Sequence, residues 1–207
     1  MDRRGFFGTA LLGVTGLAGC RHEQTGEVLS HDKADMVGSH AAGAETYKPL
    51  IDEALGKLLA RQGSGIQPAA APAPTLKKIC FVGVENKSSE ESGDYKAQII
   101  EMIDTKINGS GVFQPISFRF TVAGLKATSL QADDLFVPDN QKRFLTAMSA
   151  SGQPFDYLLF ATITSGTTQV NNQKQKDYML TLELVNIKAG TSDKESASSR
   201  KAYRNTH

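Results

Sequence analysis

Apolar and polar positions alternate with a clear period in several stretches of the chain, and these stretches predict its strands. Ile79 to Val84 is a short continuous apolar run, the pattern of a strand buried on both faces. Phe155 to Thr164 alternates, which puts Phe155, Tyr157, Leu159 and Ile163 on one face. Asp177 to Ile187 alternates most regularly. Tyr178, Leu180, Leu182 and Leu184 point one way, with Thr181 and Glu183 between them. The polar stretch Gly166 to Lys176 is expected to be the turn of a long hairpin joining these two strands. Val112 to Thr121 alternates as a further strand.

Helical spacing fills the intervals. Tyr95, Ile99, Met102, Ile103 and Ile107 share one helix face, with Asp94 as cap and Asn108-Gly109 as stop. Asp139 can cap a helix carrying Phe144, Leu145 and Met148, ended by Gly152. A short helix is expected over Val122 to Leu130, and one more edge strand or a helix over Ser192 to Tyr203. The order predicts an α/β fold of the α+β sandwich type, a mixed sheet of four to five strands with packed helices.

Upstream, Tyr47, Leu50, Ile51, Leu55, Leu58 and Leu59 recur at helical spacing between a Thr46 cap and Gly63. This amphipathic helix, 46–62, is flanked by a polar stretch, 20–45, and a Pro/Ala linker, 63–75. The polar stretch holds too few large apolar residues to fold and reads as a disordered tether. The globular domain is expected over 76–203. A helix this short is marginal alone in water. Its six stripe residues are therefore candidate docking residues. Fold-back on the 76–203 domain and contact with a partner both remain open.

The first residues change the picture. Arg3-Arg4 precede an apolar stretch from Phe6 to Leu17, followed by Leu17-Ala18-Gly19-Cys20. This is the order of a secretory signal, with a basic head, a short apolar region and a small-residue cleavage site. The apolar run is too short for a bilayer core of ~30 Å. Leu-Ala-Gly-Cys resembles the bacterial lipobox, so residues 1–19 are expected to be cleaved and Cys20 lipidated. Arg3-Arg4-Gly5-Phe6-Phe7 resembles a twin-arginine export signal.

The chain has 23 basic and 22 acidic side chains, and loss of residues 1–19 leaves 21 of each. A neutral chain lacks the electrostatic footprint of a nucleic-acid binder. Membrane affinity is then expected from the lipid. Cys80, in an apolar run, reads as a buried small hydrophobe. His22, His31, His40 and His207 all fall outside the globular part, so a Ser-His-Asp or Cys-His arrangement has no base there. No zinc spacing is present. Glu90-Glu91 and Asp133-Asp134 read as solvated loop charges. The expectation is a non-enzyme with no catalytic residues, metal, cofactor or small-molecule substrate.

Three segments resemble the LpoB family of lipoproteins. Lys78-Ile79-Cys80-Phe81-Val82-Gly83-Val84-Glu85-Asn86-Lys87-Ser88 resembles its first strand and the Asn-Lys/Arg-Ser/Thr turn that follows. Asp156-Tyr157-Leu158-Leu159-Phe160-Ala161-Thr162-Ile163 resembles the strand after its second long helix. Tyr178 to Gly190 resembles its Tyr-x-Leu-x-Leu-x-Leu-Val-Asp-x-Lys-Thr-Gly strand and turn, with Asn186 and Ala189 where Asp and Thr are usual. The resemblance implies a non-enzymatic outer-membrane lipoprotein on the periplasmic face. It implies a penicillin-binding protein as partner, a peptidoglycan synthase activated by protein–protein contact. The strand pattern is also similar to curli-secretion lipoproteins and to the amino-terminal domain of TolB-like proteins. A structural or assembly-factor lipoprotein that binds peptidoglycan or a secretion component is the alternative.

If Cys20 carries the anchor, Cys20→Ala abolishes partition into detergent and leaves an uncleaved or soluble chain. Equal partition of mutant and wild type contradicts the anchor.

Overall fold

The computed structural model describes residues 42–63, 76–90, 95–170 and 173–204. The leader, Cys20, the tether up to residue 41, linker residues 64–75, Glu91, the Asp94 cap and all four histidines lie outside the described residues.

Five strands form one mixed sheet: β1 (Lys77–Lys87), β2 (Phe113–Ile116), β3 (Tyr157–Val170), β4 (Gln173–Asn186) and β5 (Thr191–Arg204). The order is β2-β1-β3-β4-β5. β1 runs parallel to both neighbours, and β3, β4 and β5 are mutually antiparallel. The helices are α1 (Ala44–Gly63), α2 (Tyr95–Ser110), α3 (Phe118–Thr128) and α4 (Pro138–Ala150), with a 3-10 turn at Asp133–Phe136. The sandwich expected from the sequence is the one found.

The apolar run of β1 is buried on both faces, as its lack of alternation requires. Ile79 and Phe81 join one core cluster, while Cys80 and Val82 join the other. The pairing with β3 then shifts between Phe81 and Gly83. This bulge inserts one residue and so exchanges the faces beyond it. Val84, at an even position, lies with odd-numbered Phe81 because of that shift. Gly83 has φ +131°, which only glycine adopts without strain. Cys80 is fully buried beside Thr121, Sγ to Oγ1 3.3 Å. Burial pushes its thiol up to about 12, so it remains a protonated packing group.

Two helix layers cover the sheet unequally. α1 and α2 share a cluster with β1, β3, β4 and Ala197 of β5. The opposite cluster, around Phe144, Met148, Leu158 and Phe160, lies over β1, β2 and the start of β3. Gly124 of α3 makes room for α4: a Cβ there would lie 2.5 Å from Met148 Sδ and 3.0 Å from the Phe144 ring.

The helix that the sequence sets apart from the 76–203 domain is one wall of that domain's core. Tyr47, Leu50, Ile51, Leu55 and Leu58 are at most 3 % exposed, and Leu59 packs against them partly buried. Each fully buried Leu or Ile contributes roughly 1.5–3 kcal/mol relative to exposure. Residues 64–75 therefore connect two elements of one core. Thr46, read as the cap, is itself buried. The helix begins earlier: Gly43 C=O accepts the N–H groups of Thr46 and Tyr47, and the Glu45 carboxylate accepts Gly43 N–H.

Several boundaries also move. The strand expected over Val112–Thr121 stops at Ile116. Ser117 takes an extended backbone as N-cap, and Phe118-Arg119-Phe120 opens α3. Three residues of alternation fit a helix start as well as a strand. The polar stretch 166–176 is mostly strand, since β3 and β4 pair out to Val170 and Gln173. Phe155 precedes β3 and packs in the opposite cluster from Leu159 and Ile163. α4 starts with Pro138 after Val137, not with an Asp139 cap. Residues 191–204 form an edge strand.

Glu90, a solvated loop charge by its sequence context, has a side chain only 9 % exposed. It accepts hydrogen bonds from Ala42 N–H at 2.7 Å and Tyr178 Oη at 2.9 Å, and pairs with Lys176 Nζ. Asn86 Nδ2 and Ser88 Oγ donate to the Glu90 carbonyl, which fixes the turn that carries it. One carboxylate thus ties the entry of α1 to β4. A second tie is Glu45 to Lys201 Nζ of β5 at 2.6 Å. Burial alone would raise the Glu45 carboxyl, but the Lys201 ammonium and the Gly43 N–H outweigh it and hold it below its ordinary value. That tie is present above the ordinary carboxylate range and is lost as pH falls through the lowered value.

Glu90→Ala removes an acceptor shared by a buried ammonium, a phenol and a backbone amide. The expected loss is on the order of 3 kcal/mol in urea unfolding, the scale for breaking a buried pair. Lys176→Met in the same chain should restore most of it. A loss below about 0.5 kcal/mol, the level of an ordinary surface change, contradicts the assignment.

Candidate functional site

Among the described residues, the unequal helix cover leaves one broad surface of the sheet without a helix layer. On β4, Tyr178, Leu180, Leu182 and Leu184 point to the α1 layer, so Met179, Thr181 and Glu183 point to the other side. Register places Thr162 and Thr164 of β3 beside Thr181 and Met179, and Ser196 and Ser198 of β5 beyond them. None of these side chains belongs to the cluster under α3 and α4. Met179 is 43 % exposed, and Ser196 and Ser198 are exposed.

The charges on this face are matched internally. Glu183 pairs with Lys194 across the strands at 2.9 Å. Arg200 Nε donates to Asp177 Oδ1 at 2.8 Å, and with Gln175 it holds the Asp177 carboxyl below its ordinary value. Between the two pairs lies an uncharged strip of threonine and serine hydroxyls around Met179. At its border Phe136, 54 % exposed, stacks on Phe160 with centroids 4.4 Å apart. Val137 beside it is 51 % exposed. Three strands of this length make a face on the order of 600 Å². A standard protein interface buries about 800 Å² per partner, so the surface is of the right scale for docking.

The sequence did not single out this face. Of its residues, the sequence pattern sets only Thr181 and Glu183 between the inward-facing positions of a strand, and the position of α3 and α4 shows that no described helix covers this face. The six candidate docking residues of α1 are brought together, but on the chain's own core. Among the described residues, no group of three or more His, Cys, Asp or Glu could hold a metal, and no helix is long and apolar enough to cross a membrane. Asp133 and Asp134 sit in the 3-10 turn, where Asp134 Oδ2 accepts Gln131 N–H at 2.7 Å.

The segments that carry the resemblance are the sheet's framework. Asn86, in the first, accepts Ser88 N–H and holds the Glu90 turn. Asn186, in the third, accepts Lys188 and Ala189 N–H at 3.0 Å each, closing the turn that ends with Gly190 at φ +65°. An aspartate offers the same acceptor oxygen, so Asn186 does the same work there.

The family model described as peptidoglycan-synthase activator LpoB matches residues 51–192, more than half of the chain. No curated protein matches. Among solved structures, the chain is similar to the LpoB C-terminal domain from Salmonella enterica, with 14 % identity over 77 % of this chain and 98 % of that one, at a TM-score of 0.47. It is similar to lipoprotein GNA1162 from Neisseria meningitidis, with 18 % identity over 63 % and 87 % of the two chains, at 0.43. For the hypothetical protein CT253 from Chlamydia trachomatis the values are 13 %, 61 % and 73 %, at 0.40. On the extent of the family match, this chain belongs to the LpoB family of peptidoglycan-synthase activators.

Proposed function

We propose that this protein is a non-enzymatic envelope lipoprotein that binds a class A penicillin-binding protein and activates it by contact. The bare face of β3, β4 and β5 is the docking surface. Family membership supports the activator role. The observation that carries the choice of surface is the uncharged strip around Met179, bordered by the exposed Phe136 stacked on Phe160. Exposed aromatic anchors beside a flat uncharged surface are the groups from which docking energy comes.

Activation needs no chemistry from this chain. The half of the sheet made by β1, β2 and the start of β3 is packed on both faces and holds the other half in shape. Docking on a rigid face can favour one conformation of the synthase by binding it better than the alternative. The anchor is Cys20, in the outer membrane with the domain on its periplasmic side. Because α1 and Ala42 before it are packed in the core, only residues 20–41 separate that core from the anchor. Even fully extended they span about 80 Å. The domain therefore works within that distance of the membrane.

Met179→Asp combined with Thr181→Arg changes exposed or half-exposed positions and should leave melting within about 2 °C, since surface changes cost little. The expected result is at least about a tenfold loss of affinity for the purified synthase, equivalent to ~1.4 kcal/mol, with stimulation lost in parallel. Full stimulation by this variant overturns the choice of face. Sedimentation of the lipid-free protein with bare cell-wall sacculi, without recovery of any synthase, supports the alternative of a peptidoglycan-binding structural lipoprotein.

A further inference from the structure

The outward face of α3 carries a pattern that folding does not need. The exposed residues of this helix are Arg119, Phe120, Ala123, Lys126 and Ala127. At 3.6 residues per turn they share one arc of about 120°. The rest of the helix packs inward, with Thr121 against Cys80 and Gly124 against Met148 and Phe144.

Neither Arg119 nor Phe120 serves the helix. Arg119 stands in the first turn, where the helix dipole favours an acid, and α3 has no acid there. Phe120 is 49 % exposed, while Phe118 packs on Phe81 with ring centroids 5.8 Å apart.

The charge of this face has one sign. Among the described residues, Arg119 and Lys126 have no ion-pair partner. Arg143 of α4 joins them at the far end of α3, where its Nη2 donates to the Thr128 carbonyl at 3.2 Å and its charge stays unmatched. The acids that follow α3 are engaged elsewhere. Asp139 pairs with Lys142 at 3.7 Å, Asp134 Oδ2 accepts Gln131 N–H, and Asp133 adds to the field on Lys87. A chain of nearly balanced charge thus gathers three unmatched cations around one exposed ring and two alanines.

An acidic protein surface could pair the cations, but charge alone offers nothing to Phe120. The headgroup region of an anionic bilayer takes both kinds of group, with phosphates for the cations and the acyl boundary for the ring. Each basic side chain at an anionic surface raises partition about fivefold, so three raise it on the order of a hundredfold. That contact is weak for a free domain. Held through Cys20 by residues 20–41, the domain meets the surface at an effective concentration on the order of millimolar, and a weak contact becomes populated.

We propose that the outer face of α3, together with Arg143, is a contact surface for anionic lipid headgroups. Arg119, Lys126 and Arg143 meet the phosphates, Phe120 enters the boundary with the acyl chains, and Ala123 and Ala127 let the helix lie close. The contact turns the α3–α4 layer of the anchored domain towards its membrane. It rests on the anchor at Cys20, which the test supplies chemically, so that the two can fail separately.

The chain has no tryptophan, so Phe120→Trp makes a single reporter. Cys80 is buried with its thiol pushed up to about 12, which leaves Cys20 as the thiol for a maleimide lipid. The mature Phe120→Trp chain, coupled in this way, is placed on vesicles containing phosphatidylglycerol and on vesicles of phosphatidylcholine alone. On the anionic vesicles the emission should shift to the blue and be quenched by brominated acyl chains. Adding Arg119→Glu and Lys126→Glu, both at exposed positions, should abolish the shift and leave the melting temperature in place. Unchanged emission on anionic vesicles, an equal shift on phosphatidylcholine alone, or a shift that survives the two Glu changes overturns the proposal. A shift that appears only when a purified penicillin-binding protein is added also overturns it and assigns the face to a protein partner. Loss of the anchor reading in the Cys20→Ala partition experiment leaves this measurement unaffected.

Discussion

β4 has one apolar face and one polar face, and the apolar face has to be covered. Tyr178, Leu180, Leu182 and Leu184 are each at most 1 % exposed, and helix α1 is among the elements that bury them. Of the described helices between β1 and β5, α3 and α4 lie over the other side of the parallel half, and α2 shares the α1 layer. α1 comes from upstream of the first strand. Everything distinctive about the molecule follows from that arrangement. The linker after α1 becomes an internal connection, Glu90 and Glu45 become the ties at the helix entry, and the far face of β3, β4 and β5 stays bare.

That division gives the protein two halves with different physical character. The parallel half is packed on both faces. The antiparallel half is covered on one face, as such sheets commonly are. Its open face has its carboxylates already matched by Lys194 and Arg200. A partner therefore meets hydroxyls, a methionine and a stacked phenylalanine pair rather than a charged field. Association across such a surface is governed by shape and apolar contact, and salt screens it little.

The strands with strong periodicity were legible in the sequence because burial on one face writes itself into every second residue. β1, the core of β3 and the core of β4 are of this kind, and they are also the segments that carry the family resemblance. The ends of β3 and β4 were not legible. Thr167, Thr168 and Gln169 are exposed on both sides, so their pairing leaves no apolar trace. Among the side chains of β5 that are described, Ala197 is the buried hydrophobic one. The helical stripe of α1 was plain, but a stripe does not state what it packs against. Glu90 was invisible for a different reason: its partners lie 48, 86 and 88 residues away, and no local pattern announces them. The bare face is a property of the assembled layers and exists only once α3 and α4 are placed.

The most direct test is methyl NMR of the lipid-free protein titrated with a purified class A penicillin-binding protein. Met179 and the threonines of the open face report on that surface, while Leu55 and Leu58 report on the α1 layer beneath the opposite face. If the bare face is the docking surface, the Met179, Thr162 and Thr181 methyl signals shift or broaden while those of Leu55 and Leu58 stay in place. Movement of the Leu55 and Leu58 signals with the Met179 and threonine signals unchanged would contradict it, and would show that α1 leaves the core to grip the partner.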